Sequence, residues 1–224
     1  MRTIAFLTQK GGAGKTTLVA SLAVAAAAAG ERVIALDLDP QASLVRWGER
    51  RQANGALTTL MVESFESERL PRLRAILEGL ADVGFTLTIV DTAGADNAAI
   101  RLVAQAADLC LLPTRPTLLD VEATAATFRA VFLAKRRAAF VLNQCLPTHR
   151  GSRTSEAAKG LAHLGVLAEP MLCARIDFQD AIAAGLGVTE YACKGRAAEE
   201  IEAFWRWIRA QFGVDIQPSR QAAA

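Results

Sequence analysis

Eight consecutive residues, Lys10-Gly11-Gly12-Ala13-Gly14-Lys15-Thr16-Thr17, combine two ammonium groups, three glycines and two hydroxyls. That mixture suits a bound polyphosphate. Glycines let successive backbone N–H groups turn inward and approach an anion closely. A helix starting at Lys15 would add the partial positive charge of its N-terminus. Lys15 is then placed to reach the β- and γ-phosphates, and Thr16 to set its hydroxyl on Mg²⁺. Gly11, Gly12, Ala13 and Gly14 supply loop amides, and Thr17 is a further hydroxyl near the α-phosphate. The spacing is a variant of the common phosphate loop. Gln9 stands where that pattern has its first glycine, and Lys10 is an extra lysine at the loop entrance.

Two acidic strand ends accompany the loop. Leu36-Asp37-Leu38-Asp39-Pro40-Gln41 alternates carboxylates at a strand tip, so that one can point back and the other toward the phosphates. Asp before Pro is also an ordinary turn former. Val90-Asp91-Thr92-Ala93-Gly94 closes an apolar run with Asp, the arrangement in which a carboxylate holds Mg²⁺ through a water. Gly94 could offer its N–H to the γ-phosphate.

These residues need strands that end together on one edge. Ile4–Leu7, Arg32–Asp37, Phe85–Asp91, Leu109–Leu112, Ala138–Asn143 and Val166–Leu172 read as buried strands, with a weaker one at Leu57–Val62. Pro113 is expected to end the fourth clear strand. Helices are expected at Lys15–Ala29, Ala42–Gln52, Leu70–Leu80, Asn97–Ala106, 117–134, 154–163 and 196–212, and Gly30 suits the end of the first. Val-, Ile- and Leu-rich strands alternating with helices imply an α/β three-layer sandwich with a mainly parallel central sheet. In such sheets ligands sit beyond the carboxyl ends of the strands.

The 224 residues suit one domain, expected over 1–216, with a frayed tail at 217–224. A composition 52% hydrophobic and 21% charged excludes a disordered chain, and a net charge of +2 excludes a diffusely basic one. Cys110, Cys145, Cys173 and Cys193 contain no CxxC pair, which argues against a zinc site or a disulfide framework. The longest low-polarity stretch, Leu18–Ala29, is too short and Ala-rich to span a bilayer. A soluble cytoplasmic protein is expected.

The string KGGAGKTT resembles the KGGxGK[ST][ST] signature of the ParA/MinD family of deviant Walker ATPases, a group with the P-loop NTPase fold. The resemblance extends from Arg2 to about Phe212 and has no counterpart of the N-terminal helix-turn-helix of the longer plasmid ParA proteins. It implies ATP and Mg²⁺ as ligands and a homodimer closed around ATP. Lys10 would cross to the other subunit's phosphates, Asp39 would orient the attacking water, and Asp37 would support the Mg²⁺ shell. Relatives often carry DxPP or DTPG where this chain has Asp91-Thr92-Ala93-Gly94. Pro113-Thr114-Arg115-Pro116-Thr117-Leu118-Leu119-Asp120 is similar to a P-x-x-P-[ST]-x-x-D stretch near the dimer interface of partition ATPases. Asn143 matches an asparagine that reads adenine, or else is a turn-capping amide. Cys173–Phe178 aligns loosely with a segment bordering adenine.

Three outputs share this engine. As a ParA-like partition ATPase, the dimer would bind non-specific DNA, associate with the nucleoid and be stimulated by a ParB-type partner. Arg175, Lys194 and Arg196 fall where relatives use basic residues, and Arg129, Lys135, Arg136, Arg137, Arg150, Arg153 and Lys159 form a second basic run. A MinD-like membrane role would need the stripe Ile201, Phe204, Trp205, Ile208 and Phe212 to be free, but Glu199, Glu200 and Glu202 beside it oppose anionic lipid. A metabolic enzyme on the same scaffold would need a paired-cysteine cluster site, a tyrosine cluster or a substrate pocket. Only Tyr191 represents tyrosine, and Cys110 and Cys145 read as core or loop thiols.

Overall fold

The computed structural model describes residues 1–55, 59–94, 97–147 and 152–213. Strands β1 (Arg2–Phe6), β2 (Val33–Asp37), β3 (Leu60–Ser64), β4 (Leu87–Asp91), β5 (Leu109–Thr114), β6 (Ala138–Leu142) and β7 (Val166–Leu167) form one sheet. Their order is β3-β2-β4-β1-β5-β6-β7 and every pairing is parallel. The helices are α1 (Lys15–Ala28), α2 (Ser43–Ala53), α3 (Leu73–Asp82), α4 (Asn97–Ala106), α5 (Leu118–Leu133), α6 (Ser152–Leu164), α7 (Ile176–Ala183), α8 (Val188–Tyr191) and α9 (Arg196–Gln211).

Side chains alternate along each strand, so each sends successive residues into opposite layers. Ile4, Phe6, Val33, Ala35 and Ile89 pack with α1, α2 and α7 to α9. Ala5, Leu7, Ile34, Leu36 and Val90 pack with α3 to α6. Both layers are apolar, which is why the strands read as hydrophobic runs without polar alternation. The three-layer P-loop NTPase fold follows directly.

Helix α1 ends in a Schellman arrangement: Gly30 takes φ 95°, Glu31 N–H donates to Ala26 O at 3.1 Å and Gly30 N–H to Ala27 O at 3.0 Å. Helix α9 lays Ile201, Phe204, Trp205 and Ile208 against the core, where all are buried. Full burial of each such side chain contributes about 1.5–3 kcal/mol. Arg51 ties α2 to α8 through Glu190, with both guanidinium–carboxylate contacts at 2.7 Å.

Several boundaries differ from the sequence expectation. Strand β5 continues through Pro113 to Thr114, because β6 still pairs with it there. On the other side the ladder stops: Leu7 N–H reaches Leu111 O, and Pro113 has no N–H to return. The expected strand from Val166 to Leu172 is cut to two residues, with Pro170 interrupting the run. The expected helix from Leu70 begins only at Leu73, after a 3₁₀ segment, Ser67–Arg72, that contains Pro71. The weak strand lies at Leu60–Ser64, later than read. The tail at 217–224 lies outside the described residues.

Gly187 is a packing constraint rather than a turn residue, since its φ is −85°. A Cβ there would lie 2.6 Å from Val24 Cβ on α1. Gly187→Ala is expected to destabilise the fold by about 1–3 kcal/mol through overpacking, read as a lowered midpoint in urea. An unchanged midpoint would show that α8 shifts freely.

Candidate functional site

The strand order reverses at β1, which has β4 on one side and β5 on the other. A crevice opens at such a point, beyond the strand ends. Residues 7–14 fill it and lead into α1. Gly14 sits at φ 82°, in the left-handed region, and a Cβ on it would fall 2.5 Å from Asn143 Nδ2. Glycine is required there on both counts. No side chain caps α1 and no acidic residue occupies its first turn, so its leading amides are left for an anion.

The loop is held from below by β6. Asn143 Nδ2 donates to Ala13 O at 2.8 Å, and Gln144 Nε2 donates to Gly12 O at 2.9 Å. Asn143 therefore acts here as a buttress. Nothing in the sequence singles out Gln144 beyond its position directly after Asn143. Thr17, Asn143, Cys173, Arg175, Phe178 and Gln179 line a cavity of about 340 Å³ beside the loop, within the size range of small-molecule sites.

Lys15 is buried, and burial pulls its ammonium below the usual lysine range, against the opposing pull of Asp91 and Asp39. Thr16 Oγ1 donates to Asp91 Oδ2 at 2.6 Å. Asp91 is 1% exposed, and its Oδ1 has no hydrogen-bond partner. Burial pushes this carboxyl up to about 7, with the Thr16 hydrogen bond and Lys15 opposing, and Asp37 and Asp39 adding to the rise. A buried carboxylate oxygen with an unused lone pair, beside a hydroxyl, fits a hard divalent cation. Thr16 and Asp91 are thus the residues that would hold Mg²⁺.

Asp37 is the residue expected to support the Mg²⁺ shell. It stands opposite Asp91 in the β2–β4 register, yet its oxygens turn to the backbone. Oδ1 accepts from Asp39 N–H at 3.0 Å, and Oδ2 from Leu44 and Val45 N–H at 2.9 and 3.1 Å. Asp37 fixes the acidic turn and the start of α2. Asp39 is half-buried, and its Oδ1 accepts from Gln41 N–H at 2.9 Å. Ala42, at φ 49°, completes the turn. A Cβ on Gly94 would come within 3.3 Å of Gly11 N, so the Asp91 loop lies directly against the phosphate loop.

Lys10 does not share the burial of Lys15. Its ammonium pairs with Asp120 Oδ1 at 2.9 Å, and its side chain is 38% exposed. Asp120 also binds Arg115, which the sequence marks only as part of the Pro113–Asp120 stretch.

Of the DNA candidates, Arg175 pairs with Glu200 on the cavity wall, with Nη2 to Oε1 at 2.6 Å and Nε to Oε1 at 3.1 Å. Lys194 and Arg196 are exposed, and Arg196 lies 3.9 Å from Glu199. Arg129, Lys135, Arg136, Arg137, Arg153 and Lys159 are exposed; Arg150 falls outside the described residues. Burial pushes the Cys110 and Cys145 thiols up to about 12, and among the described residues no His, Cys, Asp or Glu cluster suits a metal of its own. No described helix is long and apolar enough to cross a membrane.

The family model described as VirC1 protein matches residues 1–189. The chain belongs to the VirC1 family, within the ParA/MinD-like deviant Walker ATPases. This VirC1-family chain is 37% identical over 218 residues to a maintenance of carboxysome distribution protein A from Gloeobacter kilaueensis, covering 96% of this chain and 95% of that one. It is 32% identical over 177 residues to protein virC1 of Rhizobium rhizogenes, covering 76% of each. Its fold matches apo McdA of Cyanothece with a TM-score of 0.77 at 17% identity, over 95% of this chain and 100% of that one.

The Asp91 environment gives a pH test. The unfolded carboxyl titrates near 3.8 and the folded one near 7, so the folded state binds the proton more tightly. That contribution is full below 3.8 and is lost as pH rises through 7. In EDTA and without nucleotide, Asp91→Asn should gain on the wild type between pH 4 and pH 8, by on the order of a few kcal/mol at the upper end. Thermal melts across pH check this. A difference that does not vary with pH would refute the assignment.

Proposed function

We propose that this chain is an ATP-dependent positioning or partition ATPase that pairs face to face around two nucleotides. The observation that carries the reading is the separation of its two signature lysines. Lys15 is buried within its own loop, while Lys10 stands half-exposed at the rim with its ammonium paired to Asp120. A cation at the rim is available to a second subunit in a way that a buried one is not. The likeness to a protein named for carboxysome distribution supports a positioning role.

In this reading Lys15 and the amides of Gly11 to Thr17 bind the phosphates, and Thr16 and Asp91 hold Mg²⁺. Mg²⁺ neutralises charge on the phosphate oxygens when bound. Asn143, its Nδ2 committed to the loop, offers its remaining Oδ1 to the base from the cavity lining. Asp39 orients the water that adds to the γ-phosphorus as the bond to the bridging oxygen breaks, releasing ADP and phosphate. Lys10 of each protomer neutralises the partner's triphosphate, so assembly depends on the γ-phosphate. Positioning and charge do most of such catalysis, which makes the isolated turnover slow and open to stimulation by a ParB-type partner. The ATP-loaded dimer binds non-specific DNA through exposed basic residues and so associates with the nucleoid in the cytoplasm. The MinD-like alternative loses its candidate anchor, because the apolar side of α9 packs in the core.

Retention on DNA with ATP, with ADP and without nucleotide tests the reading. Binding is expected with ATP alone, and should fall about 10³-fold or more between 50 and 200 mM salt if about six phosphates are contacted. Retention on anionic liposomes instead of DNA would reverse the choice of surface. Asp39→Ala should still pair with ATP but hydrolyse it about 10²-fold more slowly. Hydrolysis at the wild-type rate would remove Asp39 from the mechanism.

A further inference from the structure

One carboxylate at the rim of the phosphate loop serves two cations. Asp120 is 4% exposed. Its Oδ1 contacts Lys10 Nζ at 2.9 Å and Arg115 Nη2 at 3.2 Å. Its Oδ2 contacts Arg115 Nε at 2.9 Å and Thr117 Oγ1 at 2.6 Å. Burial alone would push the carboxyl up, but the donors from Thr117, Arg115 and Lys10 outweigh it and hold it at about 2. The backbone here is also fixed. Thr117 caps α5 by accepting from Asp120 N–H, and Thr124 Oγ1 donates to Asp120 O at 2.8 Å. Arg115 Nη1 lies 4.0 Å from where a Cβ on Gly12 would stand, so the guanidinium also borders the phosphate loop.

The charges do not balance: one negative group faces two positive ones. Either cation can leave without stranding a bare buried carboxylate, which would be costly. Lys10 is the one free to go. It makes a single contact through a flexible stem, whereas Arg115 makes a two-point contact with its planar fork.

We propose that Asp120 is a latch that parks Lys10 inside its own subunit until a second, triphosphate-loaded copy of this chain offers a stronger anion, and that Arg115 keeps Asp120 compensated after Lys10 departs. The proposal rests on the reading that Lys10 acts across the interface. Asp120 and Arg115 are positioning residues in it, acting through Lys10. The surplus cation weakens the latch. Without Arg115, Lys10 would be the only cation on Asp120 and would be held harder.

Two single variants therefore move assembly in opposite directions. Sedimentation velocity of the full chain with Mg²⁺ and a non-hydrolysable ATP analogue measures the protein concentration for half-dimerisation. Asp120→Asn should lower that concentration about fivefold, and Arg115→Gln should raise it about fivefold, as expected for one ion pair. In the double variant the Arg115→Gln effect should vanish, because there is no carboxylate left to compensate. If Arg115→Gln still impairs pairing in the Asp120→Asn background, Arg115 contacts phosphate directly and the latch is refuted. If both single variants impair pairing, Asp120 is merely structural. Melting curves confirm that the variants fold; should Asp120→Asn not fold, the half-exposed Arg115→Gln variant alone decides, and no rise in its half-dimerisation concentration overturns the proposal. Lys10→Ala separates the two levels of argument. Wild-type pairing by that variant removes the face-to-face reading itself. Loss of pairing, together with no gain from Asp120→Asn, removes the latch alone.

Discussion

The rest of the structure depends on keeping charged groups dry where a triphosphate would lie. Lys15 and Asp91 are both buried, and Asp39 and Asp37 stand close enough to influence them. Each would be better solvated in water. Burial already works against the ammonium and pushes the Asp91 carboxyl up to about 7. The apolar layers on both faces of the sheet offset that cost. The site is therefore arranged before ligand arrives, which is how fixed dipoles and charges stabilise a developing charge without reorganising.

The scaffold divides the labour by strand. β1 delivers the phosphate loop, β2 the acidic turn, β4 the Asp91 carboxylate with one oxygen unused, β5 the Arg115–Asp120 corner, and β6 the two amides that brace the loop from below. All five ends lie on one edge because every pairing is parallel. Cross-links between neighbours keep them in place: Thr92 Oγ1 donates to Phe6 O at 2.8 Å, and Leu38 N–H to Asp91 O at 2.9 Å. Such bonds join residues that are far apart in the chain, and they give the site the rigidity of the sheet.

The sheet and most of its helices were legible in the sequence because hydrophobic runs and turn residues are local signals. KGGAGKTT was legible for the same reason, and so was Asp91 at the end of its apolar run. What sequence could not convey was where a side chain spends its hydrogen bonds. Asp37 and Asp39 look alike in print, but the bend at Pro40 and Ala42 brings the amides of α2 back onto Asp37. Arg175 looks like a free basic residue until Glu200, 25 residues on in α9, is folded against it. Gln144 carries no local signal because the loop that it braces is 132 residues away, and Arg115 none because its carboxylate partner is shared with Lys10 from the other side of the sheet's switch point. Pro113 misled in a different way: a proline is read as a stop, yet a strand with two neighbours can stop on one side only.

That one-sided stop shapes the opening. After Leu111 the first and fifth strands have no further rung between them, and the segments leaving each are free to splay like the tines of a fork. One tine carries Lys10 and the other carries Arg115 and Asp120, which meet across the gap through side chains alone. An ordinary amino acid at position 113 would supply the missing hydrogen and zip the fork one step further. An imino acid there holds the mouth ajar, by the simple want of a proton.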